Sequence, residues 1–207
     1  MSENTISTVD ELKDYLKKNL SEHRYIHTLG VAQTTEKVLR HYGCTDYVKT
    51  WNNFSAGEFC GLVHDLAREK RDQEILDYCK TNSLELKPEE VLSPVLAHGL
   101  VSAHMAARLC GEYPLSWYRA ICLHTTGDRE MDDLALSLFV ADFIEPSRKF
   151  LTDDDRKRYL SSSSLTECTY AILCDMIEHW KRKGYHDASG SSLSLKADLE
   201  ERIRRGN

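Results

Sequence analysis

LALSLFVADFI, residues 134–144, is the stretch whose reading decides the fold. Wound at 100° per residue it is apolar on every side, which marks a helix buried at the centre of other helices. Only Ser137 and Asp142 interrupt it. It falls far short of the ~20 residues that cross a bilayer. Glu145-Pro146 ends it, because proline cannot continue the turn. Outward from this centre the periodicity stays helical. In FCGLVHDLA, Phe59, Leu62, Val63 and Leu66 repeat at i, i+3, i+4 and i+7, so this is a core-facing helix. A helix over 22–42 carries Tyr25, Leu29, Ala32 and Leu39 on one face and stops at Gly43. Ser7 with Asp10 resembles a capping box before DELKDYLKKNL.

Further helices are predicted over 71–80, 98–110, 115–123 and 165–183, with Pro88 and Pro114 in first turns. The Ser- and Gly-rich segment 184–194 reads as a loop before a charged helix over 195–205. No internal repeat and no convincing strand is present. The expectation is an all-α, single-domain chain. Residues 1–183 form its helical body, and 184–207 are a loop and helix packed on that same domain.

Composition removes several alternatives. Ten Gly and four Pro in 207 residues are about 7 %, against roughly 12 % on average, which excludes collagen-like and low-complexity chains. The 27 Lys and Arg against 33 Asp and Glu leave a net charge of −6. No global field holds nucleic acid, so an anionic ligand needs a locally positive site. Seven cysteines, none in a CxxC pair, read as reduced thiols of a cytoplasmic protein rather than a disulfide frame. MSENTISTVDEL lacks the basic and apolar regions of a secretory signal.

The chemistry starts at Asp142. An ionised carboxylate inside an apolar helix costs many kcal/mol unless it is paired or bound to a metal. His64-Asp65 closes the apolar run 59–63, and His27 lies in RYIHT on an earlier helix. Three helices therefore offer His, His-Asp and Asp. This nitrogen and oxygen set without thiolate suits Fe, Mn, Co, Ni or Zn better than Mg or Ca.

The order His27, His64-Asp65, Asp142 resembles the metal-binding pattern of the HD-domain metal-dependent phosphohydrolases. HRYIHTLGV, LVHDLA, LAHGLVSAHMA, LHTTGDREM and VADFIEPSRKF resemble the successive blocks of the YqeK family within it, the bacterial symmetrical diadenosine tetraphosphate hydrolases. The blocks cover about residues 20–150. The resemblance implies a helical HD-domain phosphohydrolase fold and a hydrolase that converts diadenosine tetraphosphate to two ADP with metal-activated water. It implies a divalent metal with iron favoured, held by His27, His64, Asp65 and Asp142, with His98 and His124 beside the phosphates or on a second metal bridged by Asp65. Asp65, His98 and His124 are the implied catalytic residues. Arg24, Arg68, Thr125 and Arg148 match positions that touch the nucleotide diphosphate, around the same His27, His64, Asp65 and Asp142. Tyr185, His186, Ser189 and Gly190 fall in a segment that closes over the base.

The physics agrees, because phosphoryl transfer is catalysed by positioning and local positive charge. The expected partners are the nucleotide and its ADP product, without nucleic acid or membrane, and with a homodimer left open. An HD-type nucleotidase, an alarmone hydrolase and a nucleotide-sensing binding module are the competing functions. The remaining histidines take bland readings. His23 is half-exposed, His104 is a satisfied core residue, His41 caps carbonyls and His179 is a surface residue; His186 stays open. Asp153–Asp155 is a helix cap, and Lys181–Lys183 is a solvated face. The chain departs from the family at Arg68 for a usual Lys, Asp128 for a usual Arg and Leu136 for a usual Lys, which bears on substrate and not on the metal site.

Overall fold

The computed structural model describes residues 5–48, 50–184 and 189–206. Among them the chain forms eleven α-helices: α1 (Val9–Asn19), α2 (Glu22–His41), α3 (Ala56–Val63), α4 (Asp72–Thr81), α5 (Pro88–Leu92), α6 (His98–Cys110), α7 (Leu115–Leu123), α8 (Asp133–Ile144), α9 (Asp153–Leu160), α10 (Leu165–Arg182) and α11 (Gly190–Arg205). Short 3-10 turns occupy Thr45–Val48 and Pro94–Ala97. The one β feature among the described residues is an antiparallel hairpin of β1 (Thr50–Trp51) and β2 (Phe54–Ser55). No described helix is long and apolar enough to cross a membrane.

The apolar stretch lies where its composition places it. α8 packs against α2, α3, α7 and α10, and every residue from Leu134 to Ala141 is buried. Asp142 departs from the reading of a fully buried acid. Its side chain is 23 % exposed and opens onto a cleft. Leu136 is wholly enclosed in the core, so it faces no ligand there.

α2 and α3 approach closely at Gly61. A Cβ there would lie 2.5 Å from the backbone nitrogen of Ala32, so only glycine allows the contact. A smaller apolar cluster of Ala67, Ile75, Cys79, Ala97 and Val101 joins α4 to α6. His104 lies half-buried beside it, bonded to Tyr78 Oη at 2.9 Å.

Three local readings shift. The first capping box is Thr8 with Glu11, one residue later than Ser7 with Asp10; Ser7 instead donates its backbone N–H to Glu11. Pro114 is the N-cap of α7 rather than a first-turn residue, whereas Pro88 does begin α5. The last helix starts at Gly190, not Leu195. Ser189 accepts from the backbone of Ser192, so the serines there cap and bury instead of forming a loop. Ser192 donates to the Thr126 carbonyl at 2.7 Å, and Leu195 and Leu199 enter the core. The Asp153–Asp155 run caps α9 through Thr152 and Asp155, and His41 donates to the Leu160 carbonyl at 2.8 Å.

Candidate metal centre and cleft

Four histidines converge from four elements. His27 sits in the second turn of α2, His64 immediately follows α3, His98 opens α6 and His124 immediately follows α7. Their tautomers are forced by their neighbours. The Nδ1 of His64 donates to the Gly61 carbonyl at 2.8 Å, that of His98 to Val95 at 2.6 Å, and that of His124 to Ile121 at 2.8 Å. His27 Nδ1 donates to the carboxylate of fully buried Glu145 at 2.9 Å. Carbonyls and carboxylates only accept, so each ring in its neutral, metal-ligating form carries its lone pair on Nε2.

These lone pairs face one another. His27 and His64 Nε2 are 3.3 Å apart, and His98 and His124 Nε2 are 3.1 Å apart. Asp65 lies between the two pairs. Its Oδ2 is 3.5 Å from both His27 and His64, and its Oδ1 is 3.1 Å from His98 and 3.5 Å from His124. Asp142 Oδ1 is 3.0 Å from His27 Nε2 and 3.9 Å from His64 Nε2. The single Thr125 hydroxyl proton serves at most one of His98 and His124, which it reaches at 3.1 and 3.2 Å.

Acceptor facing acceptor in a buried site repels unless a cation intervenes. Ligand atoms about 2.1 Å from an ion stand roughly 3.0–3.4 Å apart, and most of these atoms are 3.0–3.5 Å apart, with His64 Nε2 and Asp142 Oδ1 wider at 3.9 Å. The residues fit a divalent metal. Two donor groups, His27–His64–Asp65 and Asp65–His98–His124, share the one carboxylate.

Burial holds His64 neutral, with its pKa pushed down to about 3, and it lowers His98 as well. His27 moves the other way. Burial opposes its charge, but hydrogen bonds to Asp142 and Glu145 outweigh that and raise its pKa. Burial would also raise Asp65 and Asp142. The surrounding imidazoles overcome this at Asp65, and His27 with Arg148 does so at Asp142, so both stay ionised.

Two arginines complete the rim. Arg24 pairs with Asp65 and Arg148 with Asp142, Arg148 also donating from Nε to the Asp142 carbonyl at 2.8 Å. The buried Nε of Arg24 has no hydrogen-bond partner. Beyond them the centre opens into a cleft of about 960 Å³, which Arg68 and Thr125 also line.

Comparison with known proteins agrees with this geometry. The HD-domain family profile matches residues 24–147. The chain belongs to the HD-domain family. It is 30 % identical over 154 residues to the symmetrical bis(5'-nucleosyl)-tetraphosphatase of Bacillus subtilis strain 168, covering 73 % of this chain and 76 % of that protein. It is 30 % identical over 169 residues to the enzyme of the same name from Staphylococcus aureus, covering 79 % and 80 %. A crystal structure of an HD superfamily hydrolase from Clostridium acetobutylicum, described as involved in NAD metabolism, superposes with a TM-score of 0.81 at 28 % identity, covering 94 % of this chain and 98 % of that one.

Within this HD domain the structure gathers His27, His64, Asp65, His98, His124, Asp142, Arg24, Arg68, Thr125 and Arg148 around one cleft. It does not gather Ser189 and Gly190. Ser189 and Gly190 begin α11 and stand outside the cleft lining, Gly190 lying beside Glu89. Tyr185 and His186 lie outside the described residues. Asp128 is tied away from the centre by Lys87 at 2.6 Å, and Lys87 also reaches Ser191 at 3.0 Å.

Sequence reading missed three contributors. Glu145, which orients His27, follows Asp142 by three residues, and that spacing was its only signal. Arg156 binds the carbonyls of Ile144 at 2.7 Å, Glu145 at 3.1 Å, Arg148 at 2.8 Å and Leu151 at 2.9 Å, fixing the turn that carries Arg148. The far wall of the cleft is aromatic, with Phe143, Phe150, Tyr159 and Trp180. His179 and Arg182, read as solvated surface, are exposed or rim positions on the α10 face that borders this wall.

Proposed function

We propose that this chain is a metal-dependent phosphoanhydride hydrolase that splits diadenosine tetraphosphate at its midpoint into two ADP. The observation that carries the reading is the pair of histidine clusters meeting on Asp65 at the mouth of a nucleotide-sized cleft. We assign His27, His64, Asp65 and Asp142 as metal ligands and favour iron, with Mn, Co, Ni or Zn compatible with the same donors. The shared use of Asp65 supports a second ion on His98 and His124. When bound, a divalent cation supplies a water acidic enough to ionise near neutral pH and positive charge for the phosphoryl oxygens.

The chain's own residues do the rest. Arg24, Arg68 and Arg148 bring guanidinium forks to the polyphosphate, matching the planar geometry of its oxygens. The Thr125 hydroxyl donates to the phosphoryl group beside His98 and His124. Asp65 and these two histidines border the reacting phosphorus, where water oxygen bonds to one central phosphorus as its bridge to the other central phosphorus breaks. Each product leaves as ADP, and charge spread over the transferring group is met by donors already in place. Seven free thiols support a cytoplasmic setting.

The test is product analysis. Iron-loaded protein should turn diadenosine tetraphosphate into ADP alone, and Asp65→Ala should abolish turnover. ATP with AMP as products, or no turnover with iron, manganese, cobalt, nickel or zinc, overturns the proposal. A binding module would keep nucleotide affinity in both forms and turn over neither.

A further inference from the structure

A second cavity of about 550 Å³ adjoins the cleft. Glu22, His23 and Ile26 from the start of α2 form one side, and Ser147, Lys149 and Phe150 from the turn after α8 form the other. Arg148 and Phe150 line both cavities. Phe150 packs edge-on against Phe143 of the main cleft, with ring centroids 5.5 Å apart, yet remains 63 % exposed. It therefore stands as a partition between the two spaces. Ile26, one residue before a histidine of the metal centre, is 50 % exposed in the same hollow.

We infer that this second cavity receives one nucleoside phosphate end of the substrate while the main cleft receives the other. The inference rests on the function proposed above. Hydrolysis at the midpoint requires the reacting bond at the centre of the ligand, with an equal half on each side. The main cleft runs from Asp65 and His98 toward Trp180. The second cavity shares Arg148 and Phe150 with it and is lined beyond them by the first turn of α2, which does not line the main cleft apart from Arg24.

Its chemistry is that of a nucleotide. An exposed aromatic ring and an aliphatic side chain offer faces for a base. Arg148 and Lys149 offer cations for phosphate. Glu22 can accept from an exocyclic amine or a ribose hydroxyl. The volume lies within the roughly 300–1,000 Å³ of small-molecule sites. Arg148, which lines this cavity, also pairs with Asp142 of the metal centre and so links the two.

The test compares a ligand with two nucleosides against one with a single nucleoside. The double variant Ile26→Ala/Lys149→Ala changes solvent-facing side chains, so the fold and metal site are retained. In metal-loaded protein its KM for diadenosine tetraphosphate should rise about tenfold. Its Ki for adenosine 5'-tetraphosphate as a competitor should change less than threefold, since a single nucleoside uses the main cleft. Lys149→Glu should move the same ratio in the same direction. An unchanged KM, meaning both nucleosides occupy the main cleft, overturns the inference. So does an equal rise in KM and Ki, which reports general loss of phosphate attraction. Failure of the parent reading looks different, because the unaltered protein would then release no ADP from the dinucleotide.

Discussion

Glu145→Gln is the substitution that separates a positioned metal ligand from a merely nearby histidine. Glu145 is fully buried and accepts three hydrogen bonds, from His27 Nδ1 at 2.9 Å, from the Ser147 backbone at 2.6 Å and from the Ser147 hydroxyl. A glutamine of equal size has one acceptor oxygen. If that oxygen keeps His27, the amide NH₂ faces the Ser147 N–H, donor against donor. An unsatisfied buried group costs about 1–3 kcal/mol. With about 2–4 °C per kcal/mol for a chain of this length, the metal-free protein should melt roughly 2–12 °C lower. Loss of the carboxylate behind a ligating histidine should also weaken metal binding by about 10–100-fold, which corresponds to roughly 1.4–2.8 kcal/mol. Chelator competition measures the affinity, and calorimetry of the metal-free protein measures the stability. A Glu145→Gln protein that holds metal as tightly as the parent and melts with it would refute this account of His27. Gly30→Ala gives an independent approach, since a Cβ at Gly30 would meet the second Glu145 oxygen at 2.5 Å and displace the carboxylate without altering its charge.

Three further outcomes are expected. Arg156→Lys retains charge but loses the fork that reaches four carbonyls, so roughly 3 kcal/mol of stability should vanish in a denaturant titration, and turnover should fall as the Arg148 turn loosens. Gly61→Ala forces a methyl into the α2 backbone and should cost about 1–3 kcal/mol, with a matching loss of metal affinity because the same contact sets the His27–His64 separation. Burial raises the thiol of Cys44 to about 11 and those of Cys110 and Cys122 to about 12. Thiolate is therefore scarce at neutral pH in the folded chain, and alkylation of the partly exposed Cys44 and Cys122 should keep accelerating with pH beyond 9 while buried Cys110 stays protected. Unfolding should return them to ordinary reactivity, which a thiol assay before and after denaturant reads directly.

What sequence alone made legible follows from how local each cause is. The helix 134–144 and the 59–66 repeat are patterns within a few turns, and His64 at a helix end follows from where the apolar run stops. The convergence of His27, His64, Asp65, His98, His124 and Asp142 rested on the ordered family blocks as well. Glu145 was hidden because its partner is 118 residues away and its neighbour is a proline that reads only as a helix stop. The start of α11 was hidden by composition. Ser191 and Ser192 suggest a loop, but burial against Lys87, Glu89 and Thr126 turns their hydroxyls and backbone into ties. The aromatic wall needs α8, α9, α10 and the turn between α8 and α9 together, so no single segment announces it.

The way His64, His98 and His124 are held has an evolutionary corollary. Each ring is oriented by the carbonyl three residues before it, at Gly61, Val95 and Ile121. Because a carbonyl belongs to every amino acid, the instruction is written in backbone shape and survives replacement of the side chain that carries it. Gly61 is restricted for a separate reason, its contact with α2. His27 obeys a different rule, since its acceptor is a side chain. Across descendants of this chain, position 95 should vary and position 121 should exchange among apolar residues that fit its core site, while 27 and 145 change only together, so the centre is inherited as three self-contained units and one linked pair.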